Sequence, residues 1–412
     1  LTQRREQMEK RQKNASRRSG RSQRSRKIGR PIPVLYHAYV LISVLAMRFR
    51  GIRISFDRSG LAGIRGPALL VCPHISMKDH VIVAYSLFPK RPTFVLSEHF
   101  ISKPFLGWPL KKLARVITKK MFCADAGTIL NILRAKKEDN IIVLFPEGRL
   151  NAAAHSQPVT EGSAALVKKL GVDVYTVAGN GSALVYPKWG ERPRKGEITV
   201  TTARLASADE ISGMSERDIS EMLDRAIYHD DEKACLGKSY KCRDTSRGLD
   251  GILYKCPVCN KEFSLYAGGC EIGCTECGFK TRLGYDYLFE SGPIKSVNGW
   301  FYWQKESLDM IEVLEDDVTL GAVGKKGVMD FNAGSGHVVM TRERTVLDGE
   351  LFGSRLHYEL ATPRIGGTPY TPMREFDIYC DKRLIYITPQ DRRRIMKYVH
   401  MVDRTADELR GS

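Results

Sequence analysis

Residues 68–79 read ALLVCPHISMKD, an apolar run that ends in a histidine and, five residues later, an aspartate. Residues 68–72 are typical of a buried β-strand, and residues 79–88 predict the helix that follows it. On a regular helix two residues five apart point about 140° away from each other, so His74 and Asp79 can meet only across a strand-to-helix turn. A carboxylate on one imidazole nitrogen fixes the tautomer and leaves the other nitrogen free to accept a proton. A structural, hydrogen-bonded histidine is the alternative interpretation.

A second apolar run ends in the string FPEGRL at residues 145–150. The Pro-Glu-Gly turn comes directly after the predicted strand 140–145, where a sheet presents side chains into a crevice. It would expose the carboxylate of Glu147 and the guanidinium of Arg149, and arginine binds phosphate with two parallel hydrogen bonds. A surface turn with an ordinary ion pair is the alternative.

Strand-like and helix-like runs alternate from residue 67 to residue 228. This alternation predicts an α/β domain, a mixed sheet flanked by helices, which we assign to residues 51–230. The remaining predicted strands are residues 93–96, 172–177 and 197–202, and the remaining predicted helices are residues 126–137, 162–170 and 216–228.

Together, the His74-x4-Asp79 and FPEGR strings resemble the glycerolipid acyltransferase family, which includes the 1-acyl-glycerol-3-phosphate acyltransferases. The resemblance covers about residues 65–225. It continues at Glu98, Pro104 and Gly107, where the family carries a lipid-proximal segment. Two further matches are VITKK (116–120) and VYTV (174–177), and the latter lies where the family has its late apolar strand motif.

The resemblance implies an O-acyltransferase that moves a fatty acyl group from acyl-CoA or acyl carrier protein to a lysophospholipid hydroxyl. The expected acceptor is 1-acyl-glycerol-3-phosphate. His74 would be the general base and Asp79 its orienting partner, with no acyl-enzyme because the thioester is already activated. The implied substrate-binding residues are Glu147, Gly148 and Arg149, with Lys119 or Lys120 adding positive charge.

Three departures from the family pattern concern the acceptor more than the chemistry. Pro73 stands where the family usually has Asn, and FPEGRLN stands for the common FPEGTRS. Some branches of the family, including those acting on lysophosphatidylethanolamine, have Arg directly after Glu-Gly. Lys119 and Lys120 replace an acidic-Arg pair and keep a cation.

Five of the ten cysteines lie within 22 residues. The pairs Cys256/Cys259 and Cys274/Cys277 are each Cys-x-x-Cys and resemble a zinc ribbon, which we assign to residues 231–284. Four thiolates fill a tetrahedral zinc site and leave no position for water, so the predicted Zn²⁺ is structural. Cys270 is the expected spare, and its pairing with Cys274 or Cys277 is the alternative.

The N-terminal region is basic and then apolar. Residues 1–30 hold twelve Lys and Arg against two Glu and predict a disordered tail, while the other 382 residues carry 53 basic and 45 acidic side chains. Residues 31–50 contain an apolar helix of about 14 residues, or roughly 21 Å, short of a ~30 Å hydrocarbon core. The basic flank favours an interfacial helix on an anionic leaflet, and a buried core helix is the alternative.

Residues 285–412 predict a β-rich domain with glycine-punctuated strands and a closing helix at residues 391–402. Their spacing is similar to that of a pleckstrin-homology-like barrel. Trp300 and Trp303 lie on a predicted helix and favour core packing, with lipid or partner contact as the alternative.

Composition limits the function classes. The chain of 412 residues is 42% hydrophobic and 27% charged, which excludes a wholly disordered protein, and it lacks the long apolar runs of a multi-span membrane protein. We expect a monotopic acyltransferase of phospholipid synthesis. The alternatives are an inactive lipid-binding scaffold and a nucleic-acid-binding zinc-ribbon protein, the latter disfavoured because it leaves the motifs unexplained.

Clustered thiols and the lack of an apolar leader predict the cytoplasmic face of the cell membrane, and the single-chain layout predicts a bacterial source.

Overall fold

The computed structural model describes residues 27–102, 107–120, 125–324, 327–381 and 383–411. Most of the predicted basic tail (residues 1–26) and Pro104 of the predicted lipid-proximal segment lie outside the described residues.

A seven-stranded mixed sheet organises the first half of the chain, as predicted. Its order is β1-β7-β6-β2-β5-β3-β4, and all neighbours are parallel except β6 and β7. The strands are β1 (Arg53–Phe56), β2 (Ala68–Val71), β3 (Thr93–Ser97), β4 (Ile117–Lys119), β5 (Ile141–Leu144), β6 (Asp173–Asn180) and β7 (Glu197–Ala206).

Helices cover both faces of this sheet, so its central strands are apolar throughout. Successive residues of β2 alternate between two cores: Leu70 packs in one, and Leu69 and Val71 pack in the other. The helices of this part are α1 (Pro33–Phe49), α2 (Asp79–Ser86), α3 (Glu98–Ile101), α4 (Gly107–Lys112), α5 (Ala126–Lys137), α6 (Ser163–Leu170), α7 (Ser182–Val185), α8 (Ala208–Gly213), α9 (Glu216–Ile227) and α10 (Asp231–Ala234).

Helix α1 has two apolar faces. One is packed as in a core helix, and the other is exposed as in an interfacial helix. The inner face, with Tyr36, Val40, Val44 and Met47, is buried against the α/β domain. The outer face is exposed and apolar, with the side chains of Leu35, Ile42, Leu45 and Phe49 at helical spacing.

Among the described residues, no helix combines the length and the apolarity needed to cross a bilayer.

The cysteine-rich segment forms a small three-stranded sheet in the order β10-β9-β8. After it, α11 (Val297–Glu306) leads into a second seven-stranded sheet, antiparallel throughout, in the order β14-β13-β12-β11-β17-β16-β15. The predicted β-rich region is therefore confirmed, and its likeness to a pleckstrin-homology barrel stays a prediction. The elements are β8 (Leu265–Gly268), β9 (Glu271–Cys274), β10 (Lys280–Arg282), β11 (Leu314–Val323), β12 (Met329–Met340), β13 (Arg344–Leu351), β14 (Ser354–Ala361), β15 (Tyr370–Thr371), β16 (Glu375–Cys380), β17 (Arg383–Pro389) and the closing helix α12 (Ile395–Gly411).

The aromatic residues of α11 belong to the core that joins these parts. Trp300 and Phe301 are buried, and the indole N–H of Trp300 donates to the Lys255 carbonyl at 2.8 Å. Phe301 lies edge-on to His400 of α12. Core packing is therefore the role of Trp300, as the sequence favoured, and Trp303 is partly buried against the same core.

Candidate active site

The two motif strings meet because β2 and β5 are parallel neighbours in the sheet. Their carboxyl ends lie at the same edge, so the turn after β2 that carries His74 contacts the turn after β5 that carries Glu147. The backbone N–H of His74 donates to Glu147 Oε1 at 2.5 Å. Residues 73 positions apart in the sequence thus form one site.

His74 and Asp79 form the predicted pair. The Nδ1 atom of His74 lies 3.1 Å from Asp79 Oδ2, which also accepts the backbone N–H of Ser76 at 2.8 Å. Asp79 is buried at the start of α2, whereas the imidazole of His74 is 27% exposed and packs on the ring of Phe145. With Nδ1 held by a carboxylate, the Nε2 atom of a neutral imidazole is the proton acceptor.

Glu147 is buried and points inward. Its Oε2 atom accepts the backbone N–H of Gln157 at 2.6 Å, while Oε1 accepts that of His74. Burial raises the pKa of Glu147 to about 8, and the two N–H donors act in the opposite direction. The two oxygens of the Glu147 carboxyl group hold the backbone of two loops in place, and Gly148, at φ +81°, makes the turn that lets them do so.

Arg149 is buried in an ion pair with Asp403 of α12. Its guanidinium also donates to the Thr368 carbonyl at 2.8 Å and to Gln157 Oε1 at 3.1 Å. Burial is the largest single influence and opposes the charge, but Asp403, Tyr370 and Tyr302 together outweigh it and raise the pKa of Arg149. The side chain predicted to bind the acceptor's phosphate is thus engaged with the C-terminal helix.

The C-terminal region also fixes the residues that follow the FPEGR turn. The backbone N–H of Ala152 donates to the Tyr370 hydroxyl at 2.7 Å, and that of Ala154 donates to Asn298 Oδ1 at 2.9 Å. The ammonium of Lys188 donates to the Leu150 carbonyl at 2.6 Å. Segments from three parts of the chain therefore hold this loop.

A cleft of about 1720 Å³ opens between the α/β domain and the C-terminal region. Lys119, Glu147 and Arg149 line it, but His74 and Asp79 are not among the described residues that do. Lys120 donates its backbone N–H to Asp125 Oδ2 at 3.2 Å. Of the predicted substrate-binding residues, three thus share one cleft, and one of them, Glu147, also binds the backbone N–H of His74.

Sequence reasoning missed several residues that hold this site. They are polar side chains that lie far from both motifs in sequence and reach the site only through the fold, so no local signal marks them. The exception is the His-x-Asp string at residues 229–231, a short pattern that is visible in the sequence. The missed residues are Gln157, Ser182, His229, Asp231, Tyr370 and Asp403.

The four predicted metal ligands lie together. Cys256, Cys259, Cys274 and Cys277 place their Sγ atoms within 4.8 Å of one another, so the group could hold a metal ion. The Cys256–Cys277 and Cys259–Cys274 sulfur separations are both 3.8 Å. A tetrahedron with Zn–S bonds of about 2.3 Å has edges of about 3.8 Å, so the spacing fits zinc.

Cys270 lies outside this group. Its Sγ atom donates to the Arg243 carbonyl at 3.4 Å. The alternative pairing of Cys270 with Cys274 or Cys277 is therefore wrong, and its role as the spare is what the geometry shows.

The fold and the paired motifs define an α/β domain with a His–Asp pair at the carboxyl edge of its sheet. Residues 54–179 match the Acyltransferase family model. This domain belongs to the acyltransferase family, so the identification from the two motifs is confirmed. The chain is also similar to a crystal structure of the 1-acyl-sn-glycerophosphate (LPA) acyltransferase PlsC from Thermotoga maritima. The match covers 47% of this chain and 87% of the PlsC chain, with 16% sequence identity and a TM-score of 0.36.

Replacing Asp403 tests how firmly the C-terminal helix is joined to the FPEGR turn. Asp403→Asn leaves the Arg149 guanidinium buried without its counter-charge, and we expect the free energy of unfolding to fall by about 3–5 kcal/mol. Asp407→Asn on the same helix is the matched control: its carboxylate is 42% exposed, against 11% for Asp403. Asp407→Asn should lower the free energy of unfolding, measured by urea titration, by less than about 1 kcal/mol. Equal losses in the two variants would contradict a buried, structural Arg149–Asp403 pair.

Proposed function

We propose that this protein transfers a fatty acyl group from acyl-CoA or acyl carrier protein to the free hydroxyl of a lysophospholipid, with 1-acyl-glycerol-3-phosphate as the acceptor. The observation that carries the proposal is the His74–Asp79 pair, with the imidazole partly exposed and its Nδ1 atom held by a buried carboxylate. Membership of the acyltransferase family supports the reaction class. The motif resemblance supports the acceptor class.

In the proposed reaction His74 acts as the general base. Its Nε2 atom takes the proton of the acceptor hydroxyl while that oxygen attacks the thioester carbonyl carbon. The tetrahedral intermediate then expels the thiolate, which takes the proton back from the imidazolium and leaves as a thiol. Asp79 stabilises the imidazolium during this step and keeps the ring in the required tautomer.

The acceptor's phosphate would bind on the side of the cleft that Lys119 lines. Arg149 shares that cleft, but its guanidinium is already paired with Asp403. We propose that Lys119, which lines the same cleft, or Lys120 adds positive charge near the phosphate. Arg149 would mainly hold the FPEGR turn that positions Glu147, and a bound phosphate would have to compete with Asp403 for it.

The proposal predicts acyl transfer that depends on His74. The purified full chain, incubated with labelled acyl-CoA or acyl carrier protein, should acylate at least one member of a panel of lysophospholipids. His74→Ala should lower kcat/KM at least about a hundredfold, the usual contribution of a general base. His337→Ala is the control, since that histidine lies on the β11–β12 pair of the C-terminal sheet.

Two results would contradict the proposal. Absence of transfer to every acceptor by the wild-type protein would favour a lipid-binding scaffold, or a nucleic-acid-binding protein if the chain retained RNA or DNA on a filter. Equal activity of the wild type and His74→Ala would remove the histidine from the chemistry.

We also propose that α1 lies on a membrane surface. Its outer face presents exposed apolar side chains, including Ile42 and Leu45, and Arg48 and Arg50 are exposed at its end. Burying each such side chain among acyl chains contributes about 1.5–3 kcal/mol. The basic N-terminal sequence adds attraction to anionic lipid, about 1 kcal/mol for each cation near the surface. The anionic cytoplasmic leaflet of the cell membrane is the surface we propose.

Vesicle binding tests this orientation. The double variant Ile42→Asp/Leu45→Asp should bind vesicles containing phosphatidylglycerol at least about tenfold more weakly than the wild type, because two charges replace buried apolar surface. The matched control is Ile311→Asp/Val313→Asp, a pair of exposed residues far from α1 in the sequence. Sedimentation with vesicles measures the affinity. Equal losses in both double variants would contradict docking through α1.

The third part of the proposal is a structural Zn²⁺ bound by Cys256, Cys259, Cys274 and Cys277. The ribbon packs against α12, where the buried ammonium of Lys397 pairs with Glu262, a residue between the two Cys-x-x-Cys turns. The backbone carbonyl of Phe263 accepts a hydrogen bond from Arg393. Zinc would therefore stabilise the junction between the ribbon and the C-terminal region.

Metal analysis tests the ligand set. The wild-type protein and Cys270→Ser should each contain about one zinc per chain, whereas Cys274→Ser should lose the metal and have a lower Tm. Cys270 is the matched control because it lies in the turn between β8 and β9 but outside the ligand group. Zinc-free wild-type protein, or equal zinc loss in both variants, would contradict the assignment.

A further inference from the structure

A second His–Asp pair lies buried behind the first. The Nε2 atom of His229 is 2.6 Å from Asp231 Oδ1, and the exposed fractions of the two side chains are 7% and 0%. Burial is the largest single influence and opposes the charge on the imidazole, but Asp231, with Asp79 and Asp230, outweighs it and raises the pKa of His229. The proposed reaction does not use these residues. Because the pair is shielded from solvent, its role must be exerted through its neighbours.

The Asp231 carboxylate orders the backbone on both sides of Ser182. One oxygen accepts the N–H of Gly181 at 2.6 Å, and the other accepts the N–H of Ala183 at 2.8 Å. Gly181 has φ +90°, and a Cβ atom there would clash with the hydroxyl of Tyr240. The turn at residues 181–183 is therefore fixed by its own steric requirement and by Asp231.

Ser182 connects this turn to the proposed catalytic pair. Its hydroxyl lies 3.3 Å from Asp79 Oδ1 as a donor, and Ser182 is fully buried. The other oxygen of Asp79 accepts from His74 Nδ1 and from the Ser76 N–H. Each carboxylate oxygen of Asp79 thus has a defined partner, so the plane of the carboxylate facing the imidazole is fixed.

His229 also reaches the other side of His74. Its backbone N–H donates to Ser156 Oγ at 2.8 Å, and its carbonyl accepts the Ser156 N–H at 2.8 Å. The next residue, Gln157, donates its N–H to Glu147, which in turn accepts the N–H of His74. The segment 229–231 is therefore linked to both supports of His74, to Asp79 through the turn at Ser182 and to Glu147 through the loop at residues 156–157.

We infer that Ser182, Asp231 and His229 are positioning residues for the acyl transfer proposed above. Asp231 sets the Ser182 hydroxyl, Ser182 orients Asp79, and Asp79 orients His74. His229 balances the buried charge of Asp231 and joins the turn at residues 181–183 to the loop at residues 156–157. The inference rests on the proposed function, because these residues act only through the proposed base.

A double-mutant cycle tests whether Ser182 acts through Asp79. Ser182→Ala should lower kcat about tenfold and leave KM within about twofold, because it removes a hydrogen bond to a carboxylate without touching substrate. In an Asp79→Ala background the same substitution should change kcat by less than about twofold. Ser86→Ala is the matched control: Ser86 is a buried serine on α2 whose hydroxyl donates to the Ile82 carbonyl instead.

Two outcomes of the cycle would overturn the inference. Equal factors in the wild-type and Asp79→Ala backgrounds would show that Ser182 acts independently of Asp79. A kcat within about twofold of wild type in Ser182→Ala alone would show that the hydroxyl does not matter.

Hydrogen exchange tests Asp231 without relying on activity. Asp231→Asn replaces one acceptor oxygen by an amide N–H₂, so peptides covering residues 74–79 and 181–183 should exchange faster, with β11 and β12 unchanged. Asp224→Asn is the control, since that carboxylate is exposed and bonds the Val159 N–H. Unchanged exchange in both segments would overturn the role of Asp231. Absence of acyl transfer by the wild-type protein would contradict the proposed function. The exchange result would still decide whether Asp231 orders the segments around His74 and Ser182.

Discussion

The carboxylate of Glu147 joins the two loops on which the candidate site depends. Each of its oxygens accepts one backbone N–H, from His74 and from Gln157. A carboxyl group this deeply buried costs several kcal/mol unless it is hydrogen-bonded, so the two donors are a condition of the fold as well as of the site. Neighbouring parallel strands bring the loops together, and Glu147 then fixes their separation.

The C-terminal region completes this arrangement. Arg149 follows the Glu-Gly turn and is neutralised by Asp403, a residue 254 positions later in the chain. Tyr370 and Asn298 bind backbone N–H groups of the same loop. The buried polar groups of this loop need partners, and α11, the second sheet and its closing helix supply several of them. The β-rich region and α11 are therefore structural parts of the site.

Elements with strong apolar periodicity were predictable to within a few residues. The predicted strand 68–72 is β2, the predicted helix 126–137 is α5, and the closing helix continues beyond its predicted end to Gly411. Strand β1 was not predicted, because it is an edge strand whose residues are exposed or half-buried and carry little apolar signal. Both faces of helix α1 are apolar, so its sequence does not show which face packs against the domain; only the tertiary structure does.

The sequence by itself determined the local chemistry of this protein. A histidine and an aspartate across one turn, a Glu-Gly turn after a strand, and two Cys-x-x-Cys pairs are short-range features, and their geometry follows from the backbone between them. Only the tertiary structure decided what each side chain binds. Ser182 reaches Asp79 across 103 residues, and Asp403 occupies the guanidinium that the motif alone would have assigned to phosphate. Burial makes these partners obligatory, because a polar group removed from water must find its hydrogen bond wherever the fold provides one.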